Sequence, residues 1–308
     1  MKFAVQYPIE QHGRAPEFGD AEGIREFVRI AEESGLDAVA LSEHPAPSRK
    51  WLASGGHETF DTLTALAFMA GATARLRLIA HLLVLPYHNP LLAAKALATV
   101  DRMSAGRLTI GVGPGYLRSE FAALGVDFTA RNELFEESLR VLTRVWPGGP
   151  ITLSGRDFEA VDQVQSPPPV TQPAPPLWIG GNGRAARRRV VEFGQGWSPM
   201  ISPPSQAAAV RTAAISTLDE LANAIADLRD HWDRTGRAGV PEVFTTVPGI
   251  EAAYATGDFD EYRYTLDRYA AAGVTWAMVR VPAASYPEAV AALRTFGREV
   301  VARSESGH

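Results

Sequence analysis

Glu43 and His44 stand side by side at the end of an apolar stretch, 37–42, that reads as a strand. A carboxylate next to an imidazole offers proton exchange near neutral pH or contact with a bound ring. The same pair serves equally well to order a loop or cap a helix. His81 lies inside the apolar run 78–85, where a polar ring needs a hydrogen-bond partner whether or not it does chemistry. Further on, a strand runs through Gly180, Gly181, Asn182 and Gly183 into a helix bearing Arg184, Arg187 and Arg188. Such a turn presents backbone N–H groups to a phosphate without side-chain obstruction, with the arginines adding positive charge. It is neither a Walker A sequence nor a dinucleotide fingerprint, so plain turn geometry competes. A second glycine cluster, Gly111-Val-Gly-Pro-Gly-Tyr116, ends another strand; its glycines would let a flat ring or a phosphate-bearing chain approach, or simply make a tight turn.

Other polar residues carry less. His88 and Asn89 precede Pro90, a pattern that reads as a helix cap, and His12 and His57 fall in irregular loops that can reach a site. Tyr7, Trp51, Tyr87, Tyr116, Trp178 and Trp197 supply aromatic surface near strand ends, mostly for packing and in one or two cases for lining an apolar pocket.

Composition removes several chemistries. The chain has no cysteine, which excludes disulfides, thiolate nucleophiles and iron–sulfur or cysteine–zinc ligation, and its histidines form no H-x-x-x-H pattern, so no metal site is expected. Thirty Lys and Arg against thirty-five Asp and Glu, a net charge of -5, argue against nucleic-acid binding through a basic surface. There is no apolar run long enough for a membrane span, and the start MKFAVQYPIEQHG turns polar too early for a secretory segment, so a cytoplasmic protein is expected.

The elements that must position these residues alternate along all 308 positions. Strands are expected at 2–7, 37–42, 76–85, 108–112, 177–179, 196–199, 241–247 and 275–281. Helices are expected at 20–34, 59–72, 90–103, 131–145, 184–193, within 205–234, from 258, and from 285 to the end. Ser216 with Asp219, Asp258 with Glu261, and Ser285 with Glu288 read as capping signals. Eight strand–helix pairs make a (β/α)8 barrel the expected fold, with a doubly wound sheet as the alternative. Eight of the 22 prolines fall in 146–176, which reads as an insertion within one domain covering 1–308 rather than as a linker. The 43–58 loop and this insertion are the expected walls of a substrate pocket.

The order of five blocks resembles the bacterial luciferase-like oxidoreductases, and among them the F420-dependent branch. The blocks are Ser42-Glu43-His44, Val84-Leu-Pro-Tyr-His-Asn-Pro90, Asp101-Arg-Met-Ser-Ala-Gly-Arg107, Gly111-Val-Gly-Pro-Gly-Tyr-Leu-Arg118 with Glu120 and Phe121, and Pro176-Leu-Trp-Ile-Gly-Gly-Asn182. The resemblance implies a TIM barrel with insertions, commonly a homodimer, with coenzyme F420 across the strand C-termini and hydride transfer to or from a small organic substrate. It implies that His44 meets the cofactor headgroup with Glu43 orienting it, that Gly113 and Tyr116 flank the polar tail, and that Gly180, Gly181, Asn182 and Gly183 take the phosphate. It also implies a non-proline cis peptide in the third strand, here at His81-Leu82, where relatives carry a smaller residue; either His81 turns away or the ring pocket is altered. FMN with monooxygenation is the alternative on the same scaffold, and a ligand-binding barrel without redox chemistry is a third.

Overall fold

The structure is a computed structural model that describes residues 1–11 and 13–305, so His12 and His308 lie outside the described residues. Among the described residues ten strands form in chain order: β1 Lys2–Gln6, β2 Ala38–Leu41, β3 Arg77–Val84, β4 Leu108–Gly113, β5 Pro150–Ser154, β6 Glu159–Val164, β7 Leu177–Gly180, β8 Gly196–Ser198, β9 Glu242–Thr246 and β10 Trp276–Val279. Eight of them close in the order β1-β10-β9-β8-β7-β4-β3-β2, every pair parallel. With helices interspersed, this is the (β/α)8 barrel.

Apolar strands close into a barrel only if their inward side chains fill it. Here Trp178, Trp276, Phe244, Ile79 and Met278 interdigitate with Ala4, Ala38 and Ala40, all buried. Large and small residues on facing strands satisfy the taper of the interior, which is a packed core and not a pore. Trp178 and Trp197, candidates for a pocket wall, are fully buried packing residues. Tyr7 is buried as well, its hydroxyl donating to the Phe18 carbonyl at 3.0 Å.

Helix starts follow their caps. Asp20 accepts from the Gly23 N–H, Asn89 accepts from Leu91 and Leu92, and Ser285 with Glu288 forms a complete capping box. One signal is displaced by a residue: Thr217, not Ser216, caps helix Leu218–Asp233, accepting from the Glu220 N–H, while Glu220 reaches back to the Ser216 N–H. Both spacings offer a hydroxyl three residues before an acid, and the helix takes the one that places Leu221, Ile225, Leu228 and Trp232 inward. The expected Asp258 signal is also shifted. Helix Asp260–Ala271 has Phe259 at its cap with no side-chain bond, and Asp258 accepts instead from the Asp260 N–H. Two short helices, Arg49–Ala53 and Ile250–Thr256, were hidden by their lack of an apolar period.

Residues 146–176 contain an antiparallel hairpin, β5 with β6. Asp101 anchors the chain after it: this buried carboxylate accepts from the N–H groups of Val170 and Thr171 and from the Thr171 hydroxyl, at 2.8 to 2.9 Å. Among the described residues no helix is long and apolar enough to cross a membrane.

Candidate active site at the barrel mouth

In a parallel barrel the C-terminal strand ends collect at one face, so Gln6, Ser42, Glu43, His81, Ser198 and Arg280 converge there although they are far apart in sequence. Glu43 is buried and turned toward β3. One of its oxygens accepts from the Val84 N–H at 2.5 Å and the other pairs with His88 Nε2 at 2.7 Å. Burial works against a charged His88, but the Glu43 hydrogen bond and charge outweigh it and raise its pKa above the ordinary imidazole value. Glu43 thus ties the ends of β2 and β3 together.

His44 is oriented by another carboxylate. Its Nδ1 lies 3.0 Å from Oε2 of Glu120, on the short helix Arg118–Ala123 after β4. Glu120 is fully buried and also accepts from the Tyr87 hydroxyl at 3.1 Å and the Ala46 N–H at 3.2 Å. A carboxylate acceptor calls for the proton on Nδ1, which leaves Nε2 as the atom open to a ligand. The sequence-based expectation that Glu43 orients His44 is therefore corrected. Burial and then the Glu120 charge push the Tyr87 phenol far above its ordinary range, and the same causes push Tyr116 up to about 12. Trp51, His57 and Tyr116 surround His44, with ring centroids 4.4, 5.1 and 6.0 Å away. Trp51 and Tyr116 are the two aromatic candidates that do line the mouth.

A second polar group was not singled out from the sequence. The buried Glu10 accepts from the Ser42 N–H at 2.5 Å and from the Gln6 amide, while the Arg280 Nε donates to Gln6 Oε1 at 2.5 Å. His57 Nε2 lies 3.0 Å from Ser42 Oγ and 3.8 Å from Glu10. Burial holds the Glu10 carboxyl above its ordinary range against these hydrogen bonds. A cavity of about 210 Å³ opens beside His57, lined also by Ile9, Gln11, Arg14, Leu52 and Glu58. Leu52, His57 and Glu58 of the 43–58 loop line this cavity, and no residue of 146–176 does.

The His81-Leu82 peptide is cis, and β3 shifts register there between Ala80 and Leu83. His81 turns across the barrel, with Nε2 at 2.7 Å from Ser198 Oγ and its ring edge-on to Phe244 at 4.7 Å. Burial, and then the positive charge of Arg280, depress its pKa to about 4, so the ring is neutral. Leu82 fills the space that three glycines leave: a Cβ on Gly180 would lie 2.2 Å from its side chain, on Gly111 3.0 Å and on Gly113 3.2 Å. The bareness of Gly113 and Gly180 thus makes room for Leu82.

At the 180–183 turn, Asn182 is buried and fully engaged. Its Nδ2 donates to the Met200 and Ala213 carbonyls, its Oδ1 accepts from Met200, and its N–H goes to Thr212 Oγ1. This side chain pins the loop after β8 and has no group left for a phosphate. Gly181 sits at φ +108, a conformation that glycine permits. Gly183 opens helix Arg184–Phe193, which has no side-chain cap, and a Cβ there would meet nothing within 4 Å. Arg187 pairs with Asp227 and Arg188 with Glu136, so neither adds unpaired charge to the turn.

The sequence model described as luciferase-like monooxygenase matches residues 1–241. The chain belongs to that family. It is 32% identical over 171 residues to the FMNH(2)-dependent dimethylsulfone monooxygenase of Pseudomonas putida, covering 54% of this chain and 46% of the relative. It is also 32% identical over 190 residues to the F420-dependent glucose-6-phosphate dehydrogenase of Amycolatopsis mediterranei, covering 59% and 54%. The chain thus spans about half the length of these curated relatives. Monooxygenase RslO1 from Streptomyces bottropensis superposes with a TM-score of 0.77 at 21% identity over 99% of this chain and 100% of that one, a likeness of fold. One of these curated relatives is FMNH(2)-dependent and the other F420-dependent.

Proposed function

We propose that this luciferase-like protein binds reduced FMN across the barrel mouth and oxygenates a small organic substrate beside His44. The observation that carries the reading is the His44–Glu120 pair, which fixes the imidazole and presents Nε2 to a mouth walled by Trp51, His57 and Tyr116. The phosphate end fits as well: the uncapped helix at Gly183 has open space before its first N–H groups, which favour an anion. When bound, the reduced ring supplies two electrons, to dioxygen in the case of FMN or as a hydride in the case of F420. The chain's part is to hold the ring against the Leu82 bulge, shield it with Trp51 and Tyr116, and hold or release a proton at His44 Nε2. Gly113 and Tyr116 then flank the tail, and His81 stays behind the ring as a neutral hydrogen-bond partner of Ser198.

The second reading, F420 with hydride transfer, is supported by the F420-dependent relatives at 29 to 33% identity. Either reading keeps the cytoplasmic location expected from the sequence and a homodimer, the latter on general symmetry grounds. Fluorescence titration of the purified chain with FMN and with F420 separates the two. Tight FMN binding followed by substrate-dependent oxygen consumption supports the first; binding of F420 alone replaces it with the second, and binding of neither defeats both.

A further inference from the structure

We infer that the cavity beside His57 is a substrate subsite that selects a small uncharged carbonyl or hydroxyl compound, whose oxygen accepts from the Arg14 Nε–H; the inference rests on the reading of the mouth above and names the substrate class that it leaves open. Two segments build the cavity: Ile9, Gln11, Gly13 and Arg14 after β1, and Leu52, Gly56, His57 and Glu58 after β2. Its volume is about 210 Å³. An apolar cavity of about 150 Å³ takes up benzene, so this space suits one six-membered ring or a short chain and not a large ligand.

Its place joins it to the reactive end of the barrel. His57 is a wall shared by the cavity and the His44 cluster, edge-on to His44 with ring centroids 5.1 Å apart and 5.5 Å from Trp51. Gly56 is bare because Trp51 lies against it: a Cβ there would come within 2.2 Å of the indole. On the opposite side Glu58 and Gly13 are exposed, so a ligand reaches the cavity from solvent.

Most of the polar groups in the lining are already committed. Gln11 Nε2 donates to the Val281 carbonyl at 2.9 Å, His57 Nε2 lies 3.0 Å from Ser42 Oγ, and Arg14 Nη2 pairs with Glu58 at 2.7 Å. Arg14 Nε is the exception. It is buried, and among the described residues it has no hydrogen-bond partner. A buried N–H without an acceptor is costly and rare, so this atom calls for an oxygen that the chain does not supply. Gln11 keeps its Oε1, an acceptor for a hydroxyl. The buried Ile9 and half-buried Leu52 give apolar surface to the rest of the molecule.

Charge narrows the class. Glu58 already balances Arg14, and Glu10 lies 3.8 Å from His57 Nε2, its carboxyl held above the ordinary range by burial. An anion would meet two carboxyl groups and an arginine that is already paired, and an ammonium would meet that arginine. An uncharged oxygen accepts from Nε without separating the Arg14–Glu58 pair or bringing a further charge out of water.

The test is ligand-observed NMR on the full chain without cofactor, with cyclohexanone, cyclohexanol, cyclohexanecarboxylate and cyclohexylammonium as probes. The subsite predicts that the wild type binds the ketone or the alcohol at least about tenfold more tightly than either ion, and that R14M, which keeps the chain length and loses the donor, gives up about tenfold for the neutral probe. The ketone and the alcohol then separate the two functional groups, since only the alcohol has a proton for Gln11 Oε1. E58Q, which uncovers the charge of Arg14, should gain binding of the carboxylate, a reversal that a merely structural arginine would not give. L52F narrows the cavity and leaves Arg14 in place, so it should weaken every probe even if R14M does not fold. If the probes behave in this way but neither FMN nor F420 binds, the subsite stands and the cofactor reading fails. A wild type that prefers either ion or binds no probe, an R14M protein that binds the neutral probes as the wild type does, or an E58Q protein that still rejects the carboxylate overturns the assignment.

Discussion

His44 Nδ1 and Glu120 Oε2 meet at 3.0 Å, joining the end of β2 to the helix after β4 across 76 residues of sequence. Because Glu120 is fully buried and also holds Tyr87 and Ala46, replacing it disturbs both a geometry and a set of hydrogen bonds. Glu120→Gln keeps the shape but turns an acceptor into a group with its own donors. We expect turnover to fall at least about tenfold, with stability reduced by about 1–3 kcal/mol. Tyr87→Phe, which removes one partner and leaves the His44 contact, should cost stability with little loss of turnover. If both variants lose turnover alike, the His44 contact is not what matters about Glu120.

The pH dependence of stability carries a signature of His81. Its pKa in the folded chain is depressed to about 4 from the ordinary 6.5, first by burial and then by Arg280. Between these values the unfolded chain binds a proton that the folded one refuses. The stabilisation is complete above pH 6.5 and is lost as pH falls toward 4, by at most about 3 kcal/mol. Urea midpoints measured at pH 4.5 and 7.5 should therefore differ more for the wild type than for His81→Asn. Parallel behaviour of the two proteins would mean that His81 takes up its proton without opposition.

What could be read in advance follows the range of each interaction. Helix 184–193, the Asn89 cap and the 180–183 turn depend on neighbours within a few residues, and local pattern placed them. The pairings that build the mouth do not: Glu10 reaches Ser42 across 32 residues, Glu43 reaches Val84 across 41, and His81 reaches Ser198 across 117. Glu120 stands in the sequence as part of a block that carries the family resemblance, with no role attached to it; its burial and its contact with His44 give it one. A bare Cα shows that something approaches closely, but not whether it is a ligand or, as at Gly113 and Gly180, the side chain of Leu82.

The block 101–107, read as a family mark, is a structural brace. Arg107 donates to the carbonyls of Ala70, Leu76 and Ser104, and Asp101 holds the chain at Val170 and Thr171. Asp101→Ala leaves two backbone N–H groups and a hydroxyl without their charged acceptor, so a loss of about 2–4 kcal/mol is expected. The damage should concentrate in the proline-rich insertion. Limited proteolysis of the variant should cut first within 165–176; cleavage elsewhere, or an unchanged Tm, would show that the insertion is held by its hairpin alone.

Gly183 separates folding from phosphate binding in a way that Gly181 does not. At Gly181 the backbone has φ +108, so any larger residue is strained, and a loss of binding in Gly181→Val would have a trivial cause. Gly183 has φ −74 and ψ 163, a conformation open to every residue, and a Cβ there meets nothing within 4 Å. Gly183→Val should therefore fold, with a loss no larger than the roughly 1 kcal/mol of a poorer cap. Its branched side chain, however, stands before the N–H groups of helix Arg184–Phe193. FMN or F420 affinity should fall at least about tenfold while riboflavin affinity holds, since only the phosphorylated compounds present an anion to the helix end. An intact fold with unchanged affinity for the phosphorylated compounds would move the phosphate away from this turn.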